Sequence, residues 1–127
     1  MGMRSIVESC DLEVNNLNLF LNIILSEKVG SDPKFKYLWD SIRITDGEIY
    51  VDWDDWKIQG YWYESFCAFL NKLQQSGLRG SVELIYEEGD HYTITFNENR
   101  VEVVMEKDTY LITDNGVNYH APSDVAS

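Results

Sequence analysis

Residues 81–119 read SVELIYEEGDHYTITFNENRVEVVMEKDTYLITDNGVNY, and the reading of this stretch decides the fold. Val82, Leu84 and Tyr86 alternate with Glu83, Ile85 and Glu87. After Glu88-Gly89-Asp90, Tyr92, Ile94 and Phe96 alternate with Thr93 and Thr95. After Asn97-Glu98-Asn99, Val101, Val103 and Met105 alternate with Glu102, Val104 and Glu106. Tyr110–Thr113 follows, and Asp114-Asn115-Gly116 turns the chain toward Val117–Tyr119. A period of two is the pattern of a half-buried strand. Connections this short allow antiparallel pairing only, because parallel strands need long crossovers. The stretch therefore predicts a meander of four or five strands, with one face on a core and the other facing water.

Upstream of the meander the period lengthens. Trp62, Phe66, Phe69, Leu70 and Leu73 fall on one side of a helix over Tyr61–Gln75, which Ser76-Gly77 ends. Before it, Ser41–Ile44 and Glu48–Trp53 flank Thr45-Asp46-Gly47, and an Asp-Gly pair between apolar runs is a hairpin signal. Leu17, Phe20, Leu21, Ile24 and Leu25 give a further amphipathic helix over about Asn15–Val29. Asp32 and Pro33 suit the N-cap and first position of a short helix in which Phe35, Leu38 and Trp39 share a face. The expected class is α+β: N-terminal helices, a small hairpin, a central amphipathic helix, then the four- to five-stranded meander, covered by helices on one face. The 127 residues suit a single domain over 1–127, with about 121–127 a frayed tail.

A hydrophobic share of 44%, with 13% aromatics, is enough for a core and argues against intrinsic disorder. The formal charge is −12, from 22 acids against 10 bases. Such an excess opposes contact with the nucleic-acid backbone or an anionic membrane, and favours a basic protein partner drawn in by a complementary field. Glu8 and Asp11 interrupt any apolar run after Arg4, and Leu17–Leu25 is too short to span a bilayer, so the reading is cytoplasmic. Cys10 and Cys67 belong to no CxxC pattern and read as reduced thiols, Cys67 among Phe66, Phe69 and Leu70 as a small buried hydrophobe.

Catalytic signatures are missing from the sequence: no phosphate loop, GxGxxG, HExxH, GxSxG or EF-hand spacing occurs. His91 and His120 sit beside a polar turn and near the tail. Two Cys and two His without paired spacing do not make a zinc site. Asp52, Asp54 and Asp55 carry oxygens, but alternation divides them between two sides and no glycine lets the chain wrap an ion between them. The reading assigns no cofactor, no metal and no catalytic residue, and it favours binding over catalysis.

Charge is concentrated in two segments. Residues 83–108 hold eight acids and two bases, a net −6, and residues 44–64 hold six acids and one base, a net −5. The second includes Trp53, Trp56 and Trp62, which serve either as rigid interface anchors or as plugs between sheet and helix. The expected partner contacts are Asp52, Asp54, Asp55, Glu83, Glu87, Glu102 and Glu106 as charges, with Trp53 and Trp56 as anchors. On this reading the chain is a small acidic inhibitory module, such as an immunity protein against a nuclease toxin or a phage-type inhibitor mimicking nucleic-acid charge. Two alternatives stand beside it. One is a small-molecule-binding or enzymatic domain with a cleft lined by Tyr50, Tyr61, Tyr63 and Tyr92; the other is a structural subunit of a complex.

Overall fold

The computed structural model describes residues 5–30, 32, 36–53, 66–86, 89, 91–105 and 108–120. In chain order its elements are β1 (Ser5–Glu13), α1 (Leu17–Gly30), α2 (Lys36–Asp40), β2 (Ile42–Thr45), β3 (Glu48–Val51), α3 (Cys67–Gln75), β4 (Arg79–Tyr86), β5 (His91–Phe96), β6 (Val101–Met105), β7 (Asp108–Thr113) and β8 (Gly116–His120). The fold is α+β. The alternating region forms the antiparallel meander β4 to β8, and β1 adds to its β4 edge, giving the order β1-β4-β5-β6-β7-β8.

Two expectations are corrected here: the sheet has six strands, and the first element is a strand rather than a helix. The physical reason is a β-bulge. The register between β1 and β4 shifts between Val7 and Ser9, so Glu8 is an extra residue. The bulge returns Val7, Cys10 and Leu12 to the same side of the sheet, but it breaks the period of two that marks a strand in sequence.

Local signals account for the other boundaries. Asn16 caps α1, its Oδ1 accepting from the Leu19 N–H at 3.0 Å. Phe20 and Ile24 are the buried residues of α1, whereas Leu25, expected on the same face, is 56% exposed. Asp46 and Gly47 take φ values of 55° and 82°, the left-handed pair that a two-residue type I′ hairpin demands. At the end of α3 the Leu78 N–H donates to the Leu73 carbonyl and the Gly77 N–H to the Gln74 carbonyl. These two bonds make a Schellman motif, which satisfies carbonyls the helix leaves open.

The core lies on one face of the sheet. Val82, Leu84, Ile94, Phe96, Val101, Val103 and Ile112 supply its floor, and Phe20, Ile24, Leu38, Trp39, Ile49, Val51, Phe69, Leu70 and Leu73 cover it from the helices and the hairpin. Trp53 sits at its centre with no exposed surface. Its ring meets Phe66 edge-on at 5.5 Å and Phe69 at 6.4 Å, while Trp39 meets Phe69 at 4.8 Å. Each such pair contributes about 0.5–1.5 kcal/mol beyond area burial. The Trp53 indole N–H donates to Ser41 Oγ at 2.9 Å, and the Ser41 hydroxyl donates to the Leu38 carbonyl at 2.6 Å. The Asp52 N–H donates to the Ser41 carbonyl at 2.8 Å, so one small residue joins α2 to the exit of the hairpin.

Gly80 marks the closest approach of β1 and β4. Its φ is 116°, and a Cβ added there would collide with the Asp11 carbonyl oxygen. Two stability effects are expected in urea denaturation. Gly80→Ala lowers stability by about 2–3 kcal/mol, since backbone strain and collision add. Ser41→Ala lowers it by about 1–3 kcal/mol, because the acceptor of a buried indole N–H is withdrawn. An unchanged midpoint in either variant contradicts the corresponding contact.

Candidate functional site

With the helices and hairpin gathered on one side of the sheet, the strand register defines what the opposite side presents. One row across the strands runs Ser9, Glu83, Thr93, Val104, Thr109; the next runs Asp11, Ser81, Thr95, Glu102, Leu111, Asn118. Ile6 and Ile85 lie opposite each other on this face, and Ile6 is 61% exposed. Thr93, Thr95, Val104, Thr109 and Leu111 are all half-exposed. The face thus carries short hydroxyl and aliphatic side chains at its middle, with Glu102 among them, and exposed carboxylates toward the β1–β4 edge.

The acids on this face differ in their engagement. Glu83 is exposed and sits between Ser9 and Thr93, with no ion pair to another described residue. Asp11 and Glu13 on β1 are exposed as well. Asp11 is the diagonal neighbour of Glu83, a relation that brings Cα atoms to roughly 7–8 Å and makes like charges repel. Glu102 is half-buried, and a single oxygen of its carboxylate accepts from both Nε and Nη2 of Arg100, at 3.1 and 2.7 Å. Among the described residues no glutamate stands directly opposite another: β5 separates Glu83 from Glu102 and places Thr93 and Thr95 between them.

The acid–aromatic stretch is placed only in part. Asp52 is exposed and paired with Arg43 at 3.3 Å. Trp53, expected as an interface anchor, is a core residue instead, because its large apolar ring and its single N–H both find partners inside. Asp54, Asp55, Trp56, Glu87 and Glu106 lie outside the described residues, as do Trp62, Tyr61 and Tyr63. Reading the sequence missed Asp11 and Glu13, although a signal existed: beyond the bulge, Cys10, Leu12 and Val14 alternate with these two acids.

Among the described residues no group of three or more His, Cys, Asp or Glu side chains could hold a metal ion. Cys10 and Cys67 are free thiols. Both belong to the core side, whereas His91 is exposed opposite Ile85 on the other face, so neither thiol pairs with His91 as nucleophile and base. Burial pushes the Cys67 thiol up to about 11 and raises Cys10 as well, where burial outweighs a bond from the Val51 backbone.

A polar cleft of about 300 Å³ lies elsewhere, where Asn71, Gln74 and Gln75 of α3 meet Asn99 of the β5–β6 turn, Thr113 at the end of β7, and Asp114 and Asn115 of the β7–β8 turn. Tyr50 and Tyr92, expected to line a cleft, are not part of it: Tyr50 is exposed on the hairpin and Tyr92 is half-buried on the core side of β5. No helix of the described residues is long and apolar enough to cross a membrane. Comparison with protein-family models, curated proteins and solved structures finds no match for this chain.

The thiol environment has a measurable consequence. A thiol whose folded pKa lies above its ordinary 9.0 contributes stability that is present below pH 9 and lost as pH rises toward 11. Across that window the unfolded chain releases the Cys67 proton first. Stability is expected to fall by an amount of the order of 2 kcal/mol from this group, and Cys67→Ala removes that component from the alkaline unfolding profile. Iodoacetamide at neutral pH is expected to label Cys67 only after unfolding.

Proposed function

We propose that this chain is an acidic binding module whose uncovered sheet face receives a basic protein partner. The observation that supports it is the pairing, on one face, of half-exposed aliphatic and threonine side chains with the carboxylates of Asp11, Glu13 and Glu83 along one edge. A middle of Val104, Leu111, Thr93 and Thr95, where the one carboxylate, Glu102, is already held by Arg100, with a charged border fits the anatomy of a non-obligate interface. The bases do little to offset the border. Among the described residues Lys28, Arg43, Lys72 and Arg100 are each held in an ion pair within the chain. Such exposed pairs contribute about 0–1 kcal/mol each, so their main effect is to occupy bases away from Asp11 and Glu83, while Arg79, opposite Glu13 in the register, offsets that one acid in part.

In this role the module blocks a cationic surface that would otherwise grip a nucleic-acid backbone, as an immunity protein or a phage-type inhibitor does. Carboxylates then stand in for phosphates, and the long-range field accelerates encounter. Glu83 and Asp11 are the charges assigned the largest share; Glu102 has the smaller one, because Arg100 already holds it.

The test compares the full-length chain with the Asp11→Asn/Glu83→Gln double variant and with Val104→Arg, each immobilised and challenged with proteins of the producing cell at low and high salt. A basic protein retained by the parent at low salt, released by salt, and bound about ten-fold more slowly by the double variant supports the reading. Retention of the same proteins at equal rates by all three chains defeats it.

A further inference from the structure

The cleft beside the end of α3 is built from carboxamides whose orientation chemistry dictates. Asn71 Nδ2 donates to Asp114 Oδ1 at 2.9 Å, and Gln75 Nε2 donates to the same oxygen. Gln74 is 7% exposed, and its Nε2 donates to the carbonyls of Asn97 at 3.1 Å and Glu98 at 2.8 Å. A carboxylate and a backbone carbonyl accept and never donate, so each amide must present its NH₂ to them. Left over are the three amide carbonyl oxygens and the second oxygen of Asp114, none with a protein donor among the described residues. The cleft therefore offers these four acceptors around the one Asp114 carboxylate; Asn99, Thr113 and Asn115 add neutral amide and hydroxyl groups, and the lining has no Lys, Arg or His.

We propose that this cleft binds a guanidinium group. A guanidinium has five N–H donors in one plane, no acceptor and one delocalised positive charge, the complement of several spread acceptors around a single carboxylate. The alternatives fit less well. An ammonium has three donors around a point and cannot reach acceptors spread over a volume of about 300 Å³. A phosphate or carboxylate meets the like charge of Asp114 with no cation in the lining to offset it. A sugar ring wants both donors and acceptors and commonly an aromatic platform, and the lining offers no ring. Gln74 makes the floor rigid: buried and held by two turn carbonyls, it loses little freedom when a ligand arrives. The guanidinium belongs either to a small molecule or to an arginine side chain of a polypeptide. The site stands apart from the sheet face above, since Asp114 lies in the β7–β8 turn, at the opposite edge of the sheet from β1.

The experiment follows the side-chain NH₂ resonances of Asn71, Gln74 and Gln75 in the ¹⁵N-labelled full-length chain. The probes are methylguanidinium, methylammonium, methyl glucoside, agmatine, and blocked Gly-Arg-Gly and Gly-Lys-Gly. Saturable shifts are expected with methylguanidinium and with the arginine peptide. Binding of methylammonium is expected to be about ten-fold weaker, and Asp114→Asn is expected to weaken guanidinium binding about ten-fold while sheet resonances stay in place. Gln75→Ala, on the exposed side of α3, removes one of the acceptors and one donor to Asp114 while the carboxylate itself stays in place, and is expected to weaken guanidinium binding as well. Tighter binding of agmatine than of Gly-Arg-Gly assigns a small-molecule source, and the reverse assigns a polypeptide arginine. No saturable shift, an equal response to methylammonium or methyl glucoside, or unchanged affinity in both variants overturns the proposal. The Asp11→Asn/Glu83→Gln variant should bind methylguanidinium normally, which separates this site from the sheet face.

Discussion

The Trp53 indole is buried in a protein interior where an unpaired N–H would be costly, and the Ser41 hydroxyl resolves that constraint by accepting from the indole and donating onward to the Leu38 carbonyl. Around this chain of two hydrogen bonds the rest of the core is arranged. Ser41 fixes the step from α2 into β2, the Asp52 backbone fixes the exit from β3, and the indole ring fills the space against Phe66 and Phe69. The described helices and the hairpin are thereby held to one side of the sheet, and none of them covers the other.

Much of the fold was legible in the sequence because its signals are local. The alternation from Val82 to Met105 named the strands, Asp46-Gly47 named the hairpin, and Gly77 named the end of α3. What escaped was β1, whose bulge at Glu8 shifts the apolar period by one residue, so that Val7 and Cys10 stand three apart yet share a face. That single insertion hid a strand whose partner is distant in the chain. Leu25 failed for another reason: helical spacing places it beside Ile24, but the packing surface available to α1 is narrower than its apolar stripe.

The candidate site was legible in kind more than in detail. Glu83 was readable as an outward acid because its parity in a strand is unambiguous. Asp52 and Glu102 also point outward, but each is held by an arginine, Arg43 or Arg100, and pairing of that sort is invisible to strand parity. Asp11 and Glu13 were lost together with β1. Trp53 could not be assigned from sequence, since a tryptophan beside aspartates is compatible with anchor and core alike; only the position of Ser41 separates the two. The amide cleft had no sequence signature, because Asn71, Gln74 and Gln75 meet Asp114 only through the packing of α3 beside the β7–β8 turn.

The sheet order carries a consequence for how the chain is made. Strands β4 to β8 zip together through neighbouring hairpins, whereas β1 must wait while every helix and the small hairpin emerge before β4 exists to receive it. During synthesis the earliest strand thus waits through a longer stretch of chain for its partner than any other strand does, and the edge it completes, with Asp11 beside Glu83, forms only after β4 has emerged. A nascent chain that stops short of β4 carries Asp11 and Glu13 without the strand that fixes where they point.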